Sequence, residues 1–168
     1  GSTEATDVGV ASGFAPALFH VLPEVGYWVT AQTSISAAFR LGFPVIANVP
    51  GHATAAPSGF LRLRHGFSPD GTGFQLSGAV GGGILRHAVK IENAAAGEDT
   101  DTTASGPLLL GAGMGYVKAL GDSLRFVAEV NGFVGLPVVD QIGCPGNGCV
   151  QPSFGNQFDL NLGMLVAF

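Results

Sequence analysis

The sequence predicts an all-β fold, an up-and-down antiparallel transmembrane β-barrel, and three observations lead there. Apolar and polar residues alternate with a period of two through most of the chain, while helix signals are almost absent. One parity is apolar and nearly free of charge in strand after strand, whereas the other is small or polar. Short turns alternate with long connections along the chain, which suits a barrel whose hairpin turns sit at one rim and whose loops sit at the other.

Seven strands follow, at about 17–29, 33–45, 58–68, 73–91, 105–119, 123–136 and 157–168. The first carries Phe19, Val21, Val25 and Tyr27 on the apolar parity, with His20, Glu24 and Trp28 opposite. After the tight turn "TAQT", the second sets Ile35, Ala37, Phe39, Leu41 and Phe43 against Ser34, Ser36 and Arg40. The third brings Arg62 and Arg64 inward, and "SPDGTG" leads to a fourth with Gln75 and Ser77 on the same side. Its "GGG" at 81–83 is followed by neither Lys-Ser/Thr nor a helix, so it reads as curvature or close packing and not as a phosphate loop. The fifth strand ends at "ALGDS", and the sixth sets Leu124, Phe126, Ala128, Val130 and Val134 against Arg125, Glu129 and Asn131. The seventh alternates from Phe158 to Phe168, with Asp159 and Asn161 on the polar side. Connections 46–57, 92–104 and 137–156 are the long ones.

Composition narrows the class. Hydrophobic residues make up 46% of the 168 and charged residues only 11%, against about 25% in ordinary soluble domains. A soluble sandwich with this alternation would carry many lysines and glutamates on its outer face, and the chain has two lysines. No run approaches the roughly 18 apolar residues of a membrane-crossing helix. A net charge of −5 with seven Lys+Arg leaves no basic stripe for a nucleic acid.

The candidate site residues lie on the inward parity. Glu24 faces residue 38 across the first turn, so Arg40 is its diagonal neighbour, and Arg62, Arg64, Arg125, Glu129 and Asp159 extend an ionic ladder through the lumen. Such a ladder fills a small barrel and holds its shape. Tyr27, Tyr116 and Phe168 fall at one level of the apolar face and Phe19, Phe43 and Phe158 near the other rim, as two interfacial girdles would. Of the histidines, His20 and His87 point inward, His52 sits in a loop and His65 lies on the apolar parity without a serine beside it. No catalytic residue, metal ligand set or cofactor is expected. Cys144 and Cys149, in "CPGNGC", are expected to close a local disulfide in an oxidising compartment.

The closing stretch "FDLNLGMLVAF" resembles the signal that hands bacterial outer-membrane barrels to the barrel-assembly machinery, through Leu162, Met164, Val166 and Phe168. The segments "FHVLPEVGYWVT", "LSGAVGGGILRHAV", "GPLLLGAGMGYV" and "LRFVAEVNGFVGLP" resemble the small eight-stranded barrel domains of myxobacterial and other delta-proteobacterial outer-membrane proteins, over most of the chain. The resemblance implies a single domain in the outer membrane of a Gram-negative bacterium, with the lipid bilayer and, during insertion, the assembly machinery as partners. It implies a membrane anchor or a surface interaction module; the alternatives are a small-conductance channel and a soluble lipocalin-like lipid carrier. In one respect the chain departs from the pattern, since such barrels have an even strand number. Counting back from Phe168 makes residues 1–16 an extracellular loop remnant and leaves the first of eight strands missing. The chain is thus expected to be a fragment or processed form, its gap closed by a separate peptide or second chain, a neighbouring copy, or "TDVGVAS" folding back.

Overall fold

The structure, a computed structural model, describes residues 19–43, 55–90, 100–141 and 154–166. Among them every regular element is a β-strand: β1 (Phe19–Val21), β2 (Glu24–Trp28), β3 (Thr33–Phe43), β4 (Ala56–Gly66), β5 (Gly73–Gly83), β6 (Leu85–Lys90), β7 (Thr100–Ser105), β8 (Leu108–Ala119), β9 (Leu124–Leu136) and β10 (Gly155–Val166). They trace seven strand lines, because three of the lines are interrupted. Pro23 has no N–H to give a ladder and separates β1 from β2, both of which pair with β3. Gly83 and Gly106, at φ 134° and 138°, end β5 and separate β7 from β8 at the same height of the sheet. A Cβ on Gly106 would stand 2.3 Å from the Gly83 carbonyl oxygen, so the facing breaks need a residue without a side chain.

Each strand line pairs antiparallel with its sequence neighbour, in the order β1/β2, β3, β4, β5, β8, β9, β10, while β6 pairs with β7 beyond the glycine breaks. The sheet curls, so that its two ends approach each other. Short turns at 29–32, 67–72 and 120–123 occupy one rim, and in the first of them Val29 and Thr30 both donate to the Thr33 carbonyl. The fifth line starts earlier than its sequence pattern indicates. Thr100–Ser105, of which all but Ser105 falls inside the expected loop 92–104, is strand because it finds a six-residue register against Lys90–Leu85. Polar strands of this kind are selected by their partner more than by propensity.

The alternation sorts cleanly into two faces. In β3, Ser34, Ser36, Ala38 and Arg40 are buried while Ile35, Ala37 and Phe39 between them are exposed. β10 does the same, burying Gln157 and Asp159 and exposing Phe158, Leu160, Leu162, Met164 and Val166. Inside the curl the filling has two parts. Ala38, Phe60, Leu85, Leu109 and Phe133 form an apolar cluster in which the Phe60 and Phe133 rings lie 4.8 Å apart. Apart from Ala56 and Val117, the rest of the buried interior among the described residues is polar.

Candidate functional site

The interior polar cluster is built from one or two side chains on each of six strands, each placed inward by strand parity. Arg40 on β3 is fully buried and grips Asp159 on β10 with two hydrogen bonds, Nε donating to Oδ2 at 2.7 Å and Nη2 to Oδ1 at 3.1 Å. Gln157 Nε2 donates to the same carboxylate at 2.7 Å. Arg62 on β4 is the hub. Its Nη1 donates to Glu24 at 2.9 Å, and its Nη2 to Glu129 at 2.7 Å and to Asn131 at 3.1 Å. Arg64 also donates to Glu24, through Nη1 to Oε1 and through Nη2 to Oε2 at 2.7 Å, and reaches Glu129 at 3.4 Å. Ser36 completes Glu24, and Ser77 Oγ donates to Glu129 at 2.5 Å. Three guanidinium groups thus meet three carboxylates, so the interior cluster is neutral and most of its lone pairs are satisfied. Fork geometry of this kind gives strong pairs, and removing one partner strands a buried charge.

Glycines in β8 make room for the cluster. A Cβ on Gly113 would lie 2.1 Å from Asn131 Oδ1 and 2.7 Å from Ser77 Oγ.

Two pairings differ from the sequence reading. Glu24 does face Ala38, but Arg40 turns away from it to Asp159, and Glu24 is held by Arg62 and Arg64 instead. The curl brings β10 closer to Arg40 than the diagonal within the first hairpin. Arg125 is not in the ionic cluster at all. It lies at the short-turn rim with its Cζ 5.2 Å from the Trp28 ring centre and donates to the Gly71 carbonyl at 3.5 Å. There β9, β2 and the β4–β5 turn meet as a floor. In that turn the Thr72 amide and hydroxyl donate to Asp70, holding its carboxyl below the usual carboxylate range.

The remaining sequence candidates fall as follows. Tyr27, Tyr116 and Phe158 are exposed on the outer face, Phe43 is half-buried and pairs in register with Phe19, and Leu162, Met164 and Val166 form an exposed row on β10. His20 Nε2 lies 2.6 Å from Asn161 Oδ1, whereas exposed His65 has Thr33 Oγ1 at 2.9 Å from its Nδ1. His87 belongs to β6. Phe168, His52, Cys144 and Cys149 lie outside the described residues, as do the central parts of the three long connections and "TDVGVAS". Ser36, Ser77, Asn131 and Gln157, which complete the ion pairs, share the inward parity, and that parity is the one signal in the sequence that marks them.

A second feature is the seam. Among the described residues β2 pairs only with β3 and β10 only with β9, so their backbone edges face each other. Side chains bridge it from inside: His20 reaches Asn161, and Arg40 reaches Asp159. Between the edges runs a cleft of about 1440 Å³, lined on one side by Glu24, Val25 and Tyr27 and on the other by Leu160, Leu162 and Met164.

Compared with known proteins, the chain matches no family model, no curated protein and no solved structure.

Proposed function

We propose that this chain is a β-barrel of the bacterial outer membrane that serves as a membrane anchor or surface interaction module, its lumen filled by side chains. The observation that carries the reading is the inversion of burial. Among the described residues, large hydrophobic side chains such as Tyr27 (75% exposed), Leu162 (67%) and Phe158 (67%) cover the outside, while Arg40 (0%), Arg62 (2%) and Glu129 (2%) lie within. In water the outer row would form an exposed apolar patch far beyond the few hundred Å² that soluble monomers carry. In hydrocarbon the same row is the favourable surface, and strands of 11 to 13 residues are long enough to cross it.

The neutral cluster of Arg40, Asp159, Arg62, Arg64, Glu24 and Glu129 occupies the path an ion would take, so the proposed role is structural and not conductive. The long connections at the rim opposite the short turns are then the part available to a partner outside the cell. Purified protein should fold in detergent or lipid vesicles, precipitate from plain buffer, and give no steps in single-channel recordings. A monomer that stays folded in buffer without detergent would overturn the location, and discrete conductance steps would overturn the filled lumen.

A further inference from the structure

We propose that the cleft between β2 and β10 binds one molecule of an uncharged acyl ester of the monoacylglycerol class, its oxygen-rich head on the inner donors and its acyl chain along the outer apolar row. The site is built from described residues of β2, β4, β5 and β10. The inference rests on the membrane reading above, because a bilayer both supplies such a molecule and surrounds its chain.

The inner wall selects the head. Four buried donors on cleft-lining residues have no partner: Arg62 Nε, Arg64 Nε, Gln75 Nε2 and Asn161 Nδ2. Two of these residues, Arg62 and Gln75, are 2% and 4% exposed, so bulk water does not readily serve them. Every buried side-chain atom left without a partner along the described lining is a donor, so the complementary ligand brings oxygen acceptors. Charge narrows the choice further. Glu24, Glu129 and Asp159 already balance Arg40, Arg62 and Arg64, so an anion against this cluster would carry an uncompensated charge into a buried place. A hydroxyl or an ester carbonyl accepts the same hydrogen bonds without that cost.

The outer wall selects the tail. Val25 and Tyr27 flank the cleft on one side and Leu160, Leu162 and Met164 on the other, all exposed. A molecule with acceptors at one end and methylenes at the other matches both walls, whereas a free polyol covers only the inner one and an alkane only the outer. Because the cleft runs between two strand edges, the chain passes from one wall to the other without crossing a paired strand. Depth agrees with this pose. Arg64 stands near the end of β4 at Gly66, and Gln75 pairs with Gly66 near the start of β5, so both lie close to the short-turn rim. In a bilayer that rim is where hydrocarbon gives way to the polar interface, which holds the ester groups of lipids.

The test folds the full chain in phosphatidylcholine vesicles containing a small fraction of monooleoylglycerol, extracts it into lauryldimethylamine oxide and reads bound mass by native mass spectrometry. The expected result is one monooleoylglycerol retained per chain. Oleate, with the same chain and a charged head, and 1-octadecene, with a chain and no acceptor, should not be retained by the same protein. Gln75→Leu removes one donor and should weaken retention about 2- to 10-fold, as for one lost hydrogen bond, with the folded band on a gel preserved. No adduct, or a series of adducts without a preferred number, overturns the site while leaving the membrane reading intact. Oleate held as well as monooleoylglycerol overturns the uncharged head, and octadecene held as well overturns the role of the donors, a comparison that needs no variant. Failure to enter vesicles, with a soluble fold in buffer, sinks the membrane reading instead.

Discussion

The inner and outer faces of this sheet are made from the same strands, yet they are held by opposite means. On the outside, neighbouring side chains such as Leu160, Leu162 and Met164 are exposed, and in the proposed membrane setting they need only an apolar medium and no particular partner. On the inside, Arg62 satisfies Glu24, Glu129 and Asn131 together, and each contact is specific in distance and direction. The difference teaches where a substitution is felt. An outer residue can be exchanged for any apolar one, whereas an inner residue is tied to partners on other strands.

Breaking the inner face should have the largest effect. Arg62→Ala leaves Glu129 short of its closest guanidinium and Glu24 short of one of its two, and should lower stability by roughly 3–5 kcal/mol, read as a shift in the urea midpoint of folding in lipid. An unchanged midpoint would mean that the cluster is not held as described. Arg40→Ala should act similarly through Asp159, and its effect should disappear largely when Asp159 is replaced as well.

Breaking the outer face should cost somewhat less. Met164→Arg places a charge in the apolar row and should cost about 2–4 kcal/mol if the site lies near the middle of the bilayer. Met164→Leu should cost nearly nothing, and equal losses from both would contradict the difference between the faces. The space beside the cluster comes next. Gly113→Val drives a side chain into Asn131 and Ser77 and should cost about 1–3 kcal/mol, visible as reduced heat resistance of the folded band on a gel.

The smallest effect belongs to the turn rim, which neither face controls. Asp70 has its carboxyl pKa depressed by the Thr72 amide and hydroxyl. The stabilisation is therefore complete above the ordinary Asp value of about 3.9 and is lost as pH falls through the lower folded value. Wild type and Asp70→Asn should differ at neutral pH and converge in acid, followed by thermal melts across that range. Divergence toward acid would reverse the sign and remove the argument.

How far the sequence discloses this molecule follows from the same two faces. Parity is a local property, so the inward placement of Arg40, Arg62, Glu129 and Asp159 could be read directly. Pairing inside the curl is not local. Arg40 and Asp159 stand 119 residues apart, and how closely β10 approaches β3 depends on curvature and stagger that a hairpin diagram does not contain. Hence the sequence pattern pairs Arg40 with Glu24 and puts Arg125 in the ladder, whereas the fold gives Arg40 to Asp159 and Arg125 to the floor at the turn rim. The three interruptions behave differently. Pro23 announces its own break, but those at Gly83 and Gly106 depend on each other, and glycines are too common in this chain for either to stand out.

The contact between Arg125 and Trp28 joins β9 to β2 across the open side of the curl, and Trp28 is the chain's sole tryptophan. Its indole emission is therefore an intrinsic optical gauge of whether the two ends of the sheet have come together. Fluorescence recorded during refolding into vesicles separates that event from strand formation without any label.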